Sequence, residues 1–219
     1  VNAGSKDCPN TGIAHYFEHI MFKGTEKIGT TDYNAEKVYL DSIQQKYDEL
    51  ACEKNEIKRK AIQKEINQLT INSAIYVIPN EFNRLITLYG GTDLNAFTSY
   101  DMTVYHNVFS PQYIRQWAEL NSERLLNPVF RMFQSELETV YEEKNMRSDA
   151  LGAKALEKGM ERYFMPHPYA YPIIGSTENL KNPRLSEMEK FFKDYYVAGN
   201  MCLILSGDIH PQEVMPVLE

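Results

Sequence analysis

No stretch of eighteen or more apolar residues occurs in the 219-residue chain, which excludes a membrane-spanning helix. Lys and Arg number 23 against 30 Asp and Glu, a net charge of −7, so the basic surface of a nucleic-acid binder is missing. Cysteine is scarce. Cys8, Cys52 and Cys202 form an odd set without a C-x-x-C pair, which argues against a disulfide framework and a thiolate metal site. They read as small, partly buried residues. No internal repeat or low-complexity tract is present, and Val1-Asn2-Ala3-Gly4-Ser5 carries neither an initiator Met nor a secretory leader. That opening leads us to expect a natural N-terminus further upstream. What the chain does have is 43% hydrophobic content, enough for a substantial core in one large domain or two small ones.

Hydrophobic periodicity divides the chain into elements. Residues 1–5 read as the end of a strand. Residues 12–23 read as a helix with Ile13, Phe17, Ile20 and Met21 apolar, stopped by Gly24. From 32 to about 69, Leu40, Ile43, Tyr47, Leu50, Ile57 and Ala61 recur at helical spacing among dense Lys and Glu, predicting one long amphipathic helix. A return arm over 74–78 and 81–89, with Asn80 as N-cap and Gly90-Gly91 as the stop, makes it a helical hairpin. A coiled-coil dimer arm is the alternative, but the seam is short and broken by Lys54, which favours packing within the chain. Residues 94–109 alternate as a strand or strand pair, with Val104, His106 and Val108 on one face. Helices are expected over 111–126, over 134–164 with a break near Gly152 or Gly159, over 185–196, and from Pro211 onward. A loop rich in Pro, Tyr and Gly spans 165–182, and a buried strand spans 201–206. The sum is an α+β fold: a sheet of mostly antiparallel strands with helices packed on it, plus an inserted long helical hairpin at about 32–89.

Within the first helix stands His15-Tyr16-Phe17-Glu18-His19. Positions i and i+4 lie one turn apart on the same side of a helix, and i+3 borders them. His15 and His19 can therefore approach one metal ion from the same face, with Glu18 beside it. The order H-x-x-E-H reverses the H-E-x-x-H of helix-borne zinc sites. A catalytic zinc site takes three protein ligands and keeps one position open, so a third ligand has to come from elsewhere. His106 in a strand, His167 in a Pro-flanked loop and His210 at a helix start read as structural or solvated. The helix beginning near Phe133 carries Glu136 and Glu143, seven residues apart and on one face, while Glu142 lies about 100° round from Glu143. On composition alone such an acidic face is simply solvated.

Taken together, several segments resemble the pitrilysin/insulysin (inverzincin) family of zinc metallopeptidases. They are His15-x-x-Glu18-His19, Phe22-Lys23-Gly24-Thr25, Asn95-Ala96-Phe97-Thr98-Ser99, and Glu136 with Glu143. Gly12-Ile13-Ala14, Thr103-Val104-Tyr105, His167-Pro168-Tyr169 with Gly175, and Ser206-Gly207-Asp208 extend the similarity over nearly the whole chain apart from the hairpin. The resemblance implies that His15, His19 and Glu143 hold one Zn2+, with Glu142 as the rival to Glu143. It also implies that Glu136 is the supporting acid and Glu18 the general base. The implied activity is that of a zinc-dependent endopeptidase domain cutting peptides or unfolded polypeptide segments, with Glu18 activating a zinc-bound water as nucleophile. The peptide is expected to lie extended along the sheet edge at Asn95, Ala96, Phe97 and Thr98.

In that family each half of the molecule comprises two related α+β domains, and the metal site belongs to the first. Residues 1–219 therefore read as an N-terminal zinc-binding domain truncated at both ends. The expected partner is a second peptidase half, either the C-terminal domains of the same protein or another chain, which contributes an Arg/Tyr pair to substrate binding. The chain by itself is expected to bind zinc and to cleave weakly or not at all. The separation of His19 from Glu143 is longer than usual for the family, and the excess maps onto the hairpin, where added length is cheap. A non-catalytic scaffold or peptide-binding half is the rival reading, against which the intact His15, Glu18, His19 and Glu143 argue. Relatives occur in the bacterial periplasm, the cytosol and organelles, and the composition favours none of these.

Overall fold

The structure is a computed structural model that describes residues 1–181 and 184–219. Helix α1 (Ile13–Ile20) starts after Gly12, which takes a left-handed conformation at φ 75°. Ala14, Tyr16, Phe17 and Ile20 on α1 are buried in the main core. Phe17 is its aromatic centre, with the rings of Phe130, Phe192 and Tyr196 at 5.6, 5.7 and 4.7 Å. Burying a side chain of this size stabilises the fold by about 1.5–3 kcal/mol, so Phe17 fixes the rotation of α1 about its axis. The other side of the helix, with His15, Glu18 and His19, is then aimed at the elements that complete the site.

The hairpin is real, but its arms differ from those predicted. Helices α2 (Tyr33–Cys52) and α3 (Glu56–Ser73) pack on each other through Ile43, Tyr47 and Leu50 against Ile62 and Ile66. The single helix expected from 32 to 69 breaks at Glu53-Lys54-Asn55. Asn55 Oδ1 accepts from the N–H groups of Ile57 and Lys58 at 3.0 and 3.2 Å. Arg59 donates to the carbonyls of Leu50 and Glu53 at 2.6 and 2.9 Å. Orphan groups at two helix ends are thereby satisfied, and cap chemistry overrides a periodicity that runs straight through. The expected return arm is instead a 3-10 turn (Ala74–Tyr76) and a separate helix α4 (Glu81–Leu88).

The start of α2 is anchored by a buried ion pair. Arg131 is 1% exposed and Glu36 0%. Arg131 Nε and Nη2 donate to the two Glu36 oxygens at 2.6 and 2.8 Å. Its remaining N–H groups donate to the carbonyls of Lys23, Thr25 and Ile28 at 2.9, 3.2 and 3.3 Å. The guanidinium thus ties the turn that follows α1 to the hairpin, with every donor used.

Strands β1 (Thr92–Thr98) and β2 (Thr103–Val108) form an antiparallel hairpin with Asn95 opposite His106 and Thr98 opposite Thr103. Leu94, Ala96 and Thr98 are half-buried, whereas Asp93, Asn95 and Phe97 are exposed, the period-two alternation of a strand with one covered face. This two-stranded sheet among many helices is the α+β fold read from the sequence, within the described residues. Two expected strands did not form. Residues 1–4 are irregular, although Val1 exchanges backbone hydrogen bonds with Thr103 at 2.9 and 3.1 Å and Asn2 donates to Asn200 O at 2.9 Å. Residues 201–206 form no ladder, and Cys202, Leu203 and Ile204 are exposed. An apolar run becomes a strand only where a neighbour pairs with its backbone, and none of the described residues does so there.

Helix α5 (Ile114–Leu126) follows a 3-10 turn begun by Pro111. Helices α6 (Phe133–Asp149) and α7 (Leu151–Phe164) divide at Ala150, so the interruption lies near Gly152, while Gly159 remains helical. The expected loop over 165–182 contains a 3-10 turn (Pro168–Ala170) and the short helix α8 (Thr177–Lys181); its last residue, Asn182, lies outside the described residues. Helices α9 (Leu185–Tyr195) and α10 (Pro211–Leu218) complete the order as expected. Cys8 is half-buried, and Cys52 and Cys202 are exposed; all three are free thiols. No helix among the described residues is long and apolar enough to cross a membrane.

Candidate metal centre

α1 faces α6 across a short gap, and three donors converge there. His15, His19 and Glu143 each offer an atom within 4.8 Å of the others. Glu143 Oε2 stands 3.5 Å from His15 Nε2 and 3.9 Å from His19 Nε2. The imidazoles meet edge to face at 4.9 Å, as two rings one helical turn apart must if both point the same way. The neighbours then fix these groups. Glu136, one heptad before Glu143, brings Oε2 to 3.5 Å from His19 Nδ1 and receives Lys23 Nζ at 2.5 Å on Oε1. Arg147 holds the other Glu143 oxygen, Oε1, at 2.6 Å. Thr98, at the end of β1, donates its hydroxyl to Glu18 Oε2 at 2.5 Å.

The two helices are also held together by backbone. Gly12 and Gly175 both have positive φ, 75° and 82°. They touch so closely that a Cβ on Gly175 would lie 2.5 Å from Gly12 N. Lys144, next to Glu143 on α6, donates to Gly175 O at 2.5 Å. The turn around Gly175 is thus clamped between the start of α1 and the middle of α6.

Burial and neighbouring charge shape the titration. Burial, reinforced by the charge of His19, pulls His15 down to about 4, so the imidazole is neutral at physiological pH and has no proton to lose before binding a cation. Burial raises the Glu18 carboxyl above its ordinary value, against the opposing hydrogen bond from Thr98. For Glu136, burial pushes upward, but His19 and Lys23 prevail and hold the carboxyl below its ordinary value. His15 sets a testable pH dependence in the metal-free protein. Between pH 6.5 and about 4 the unfolded chain protonates His15 and the folded chain does not, so stability is full above that window and declines as pH falls through it. The slope from one such group is at most about 1.4 kcal/mol per pH unit. Urea unfolding at pH 7 and pH 4.5 should show a larger loss for the parent than for His15→Gln. Equal losses would mean that His15 is not held neutral.

No family model matches the chain. The zinc protease PqqE of Helicobacter pylori is 28% identical over 152 residues, 68% of this chain and 34% of that protein. The probable mitochondrial-processing peptidase subunit beta of Arabidopsis thaliana is 20% identical over 219 residues, 98% of this chain and 32% of that protein. Among solved structures, a protease from Helicobacter pylori superposes with a TM-score of 0.71 over 99% of this chain and 41% of that one, at 22% identity, a likeness of fold. These matches bear out the resemblance to the pitrilysin-type zinc peptidases read from the sequence. The chain spans about a third of the length of these two curated relatives.

The residues singled out from sequence fall into two groups. His15, His19 and Glu143 come together, with Glu136 against His19 and Glu18 beside them on α1. Glu142, the rival to Glu143, is exposed and outside that cluster. Asn95, Ala96, Phe97 and Thr98 lie on β1, which pairs with β2 on one side only among the described residues. Ala96 N–H is taken by the Asn95 side chain at 2.9 Å, and the Thr98 hydroxyl points to Glu18. Sequence reasoning missed the Lys23–Glu136 ion pair, Arg147, Lys144 and the Thr98–Glu18 bond. One of these had a signal: Arg147 lies four residues after Glu143 on α6, the spacing at which helical side chains meet.

Proposed function

We propose that this chain carries the zinc-binding half of a metalloendopeptidase site and that residues 1–219 act as one zinc-binding domain with the hairpin at about 32–89 as an insertion. The observation that carries this reading is the convergence of two imidazole nitrogens and one carboxylate oxygen from α1 and α6. A tetrahedral ion with bonds of about 2.0–2.1 Å spaces its donors roughly 3.4 Å apart. The separations of 3.5 and 3.9 Å from Glu143 to the two imidazoles lie near that spacing, and all three donor atoms fall within 4.8 Å of one another. Glu136 beside His19 Nδ1 is the carboxylate that would orient a ligating imidazole, whereas His15 Nδ1 is buried with no hydrogen-bond partner among the described residues.

When bound, zinc supplies Lewis acidity, which acidifies water and polarises the scissile carbonyl. The remaining chemistry belongs to the protein. His15, His19 and Glu143 hold the ion, and Glu136 fixes His19. Glu18 takes the proton from the attacking water and returns it to the departing amine, a role suited by a carboxyl raised above its ordinary value. The free side of β1 offers backbone groups to an extended peptide running past Glu18, with Asn95 to Thr98 as the strip that receives it. A second peptidase half completes substrate binding, a reading supported by the chain's span of about a third of its curated relatives.

Metal content tests the proposal. The 219-residue chain should bind one zinc and cleave an unstructured peptide weakly or not at all. His19→Ala and Glu143→Gln should each raise the zinc Kd by more than about 100-fold, and Glu136→Gln, which removes only an outer-shell partner, by about 10- to 100-fold. If Glu143→Gln binds zinc as tightly as the parent, the third ligand lies elsewhere. Zinc binding without turnover in the full-length protein would favour the scaffold reading.

A further inference from the structure

We infer that Thr98 is a positioning residue for Glu18: its hydroxyl, carried on the substrate-edge strand, holds the carboxylate in the orientation that proton transfer requires. The inference rests on the reading of Glu18 as general base and reassigns Thr98, whose place on β1 otherwise suggests a peptide contact. Three observations carry it. The first is the direct bond, Thr98 Oγ1 to Glu18 Oε2 at 2.5 Å, the sole hydrogen bond described for that carboxylate. The second is direction. Thr98 belongs to the half-buried set of β1 with Leu94 and Ala96, not to the exposed set with Asn95 and Phe97.

The third is support from behind. Thr98 is paired in register with Thr103, whose hydroxyl stands 3.4 Å from its own. Thr103 is 0% exposed and donates to Ala3 O at 3.1 Å. A β-branched side chain has few rotamers open to it in a strand, so a Thr packed in this way keeps its hydroxyl aimed. Glu, by contrast, has three side-chain torsions to lose, and a carboxylate held by one donor is oriented by that donor. The strand that would receive the peptide and the group that would take the proton are therefore joined by one hydroxyl.

The test uses the full-length protein with Thr98→Val, which removes the hydroxyl and keeps the shape, Thr98→Ser, which keeps the hydroxyl, and Glu18→Gln. Thr98→Val should lower kcat by about 10- to 100-fold, the scale of a misplaced catalytic group. Zinc content should be unchanged and KM within about twofold of the parent, while Thr98→Ser should stay within about threefold in kcat. In a Glu18→Gln background, Thr98→Val should add no further loss, because both changes then act through one group. Crystal structures of the metal-free variants supply a readout independent of turnover: the Glu18 carboxylate should leave its place in Thr98→Val and keep it in Thr98→Ser. Thr98→Ala serves both measurements if the Val variant does not fold. A raised KM with kcat intact, or an unmoved Glu18 in the hydroxyl-free variant, would overturn the inference. If Glu18→Gln turns over as fast as the parent, the general-base reading fails instead, and the crystallographic comparison still decides whether Thr98 sets the position of Glu18.

Discussion

Glu18→Gln in the full-length protein is expected to bind zinc as the parent does and to turn over peptide about 100- to 10,000-fold more slowly. The substitution is nearly isosteric, and the amide oxygen can still accept the Thr98 hydroxyl, so packing and strand contact survive. What is lost is a basic oxygen. Glu18 sits beside the cluster of His15, His19 and Glu143 without being one of its donors, which is why its replacement should leave metal content alone. Zinc stoichiometry by elemental analysis, with initial rates on an unstructured peptide, separates the two effects. A variant that keeps more than about a tenth of parental turnover, or that loses its zinc, would remove Glu18 from the role given to it.

The largest stability effect is expected at Arg131. Arg131→Met should destabilise the protein by about 3–5 kcal/mol, the scale seen when one partner of a buried pair is deleted and the other charge is left stranded. Here the stranded group is Glu36, wholly buried, and three backbone carbonyls lose their donor as well. The double variant Arg131→Met with Glu36→Leu should recover most of the loss, because two apolar groups of similar volume avoid the desolvation that the ion pair has to offset. Urea unfolding of the metal-free protein gives both numbers. The pair also matters for the site, since it fixes the turn from which Lys23 reaches Glu136. A single variant within about 1 kcal/mol of the parent would show that the pocket relaxes or admits water.

The contrast between these two predictions reflects what the sequence makes legible. Glu18 and its histidines announce themselves because their spacing is local: a helix of known pitch converts i, i+3 and i+4 into one face. The same geometry joined Glu136 to Glu143 before any fold was in view, although choosing Glu143 over Glu142 needed the family resemblance. Glu36 gave no such signal. It lies in a helix so rich in Lys and Glu that a solvated face is the natural reading, and its partner is 95 residues away. Thr98 was noticed for its strand, but its bond to Glu18 spans 80 residues and left no local signal. The break at Asn55 was overlooked for the opposite reason, a local cap competing with a longer-range pattern that did not pause for it. Residues 201–206 have the composition of a strand, but composition cannot provide the neighbour that pairs with them.

The contact between Gly12 and Gly175 has a consequence for how much change the site can tolerate. Most packing in the protein is made by side chains, and a neighbour can change rotamer to absorb a new methyl group. At this contact main chain meets main chain, so no rotamer is available to yield. A substitution at either glycine has to shift main chain, either the start of α1 or the turn at Gly175 that Lys144 ties to α6. The spacing of the three converging donors thus depends on main chain as well as on side chains.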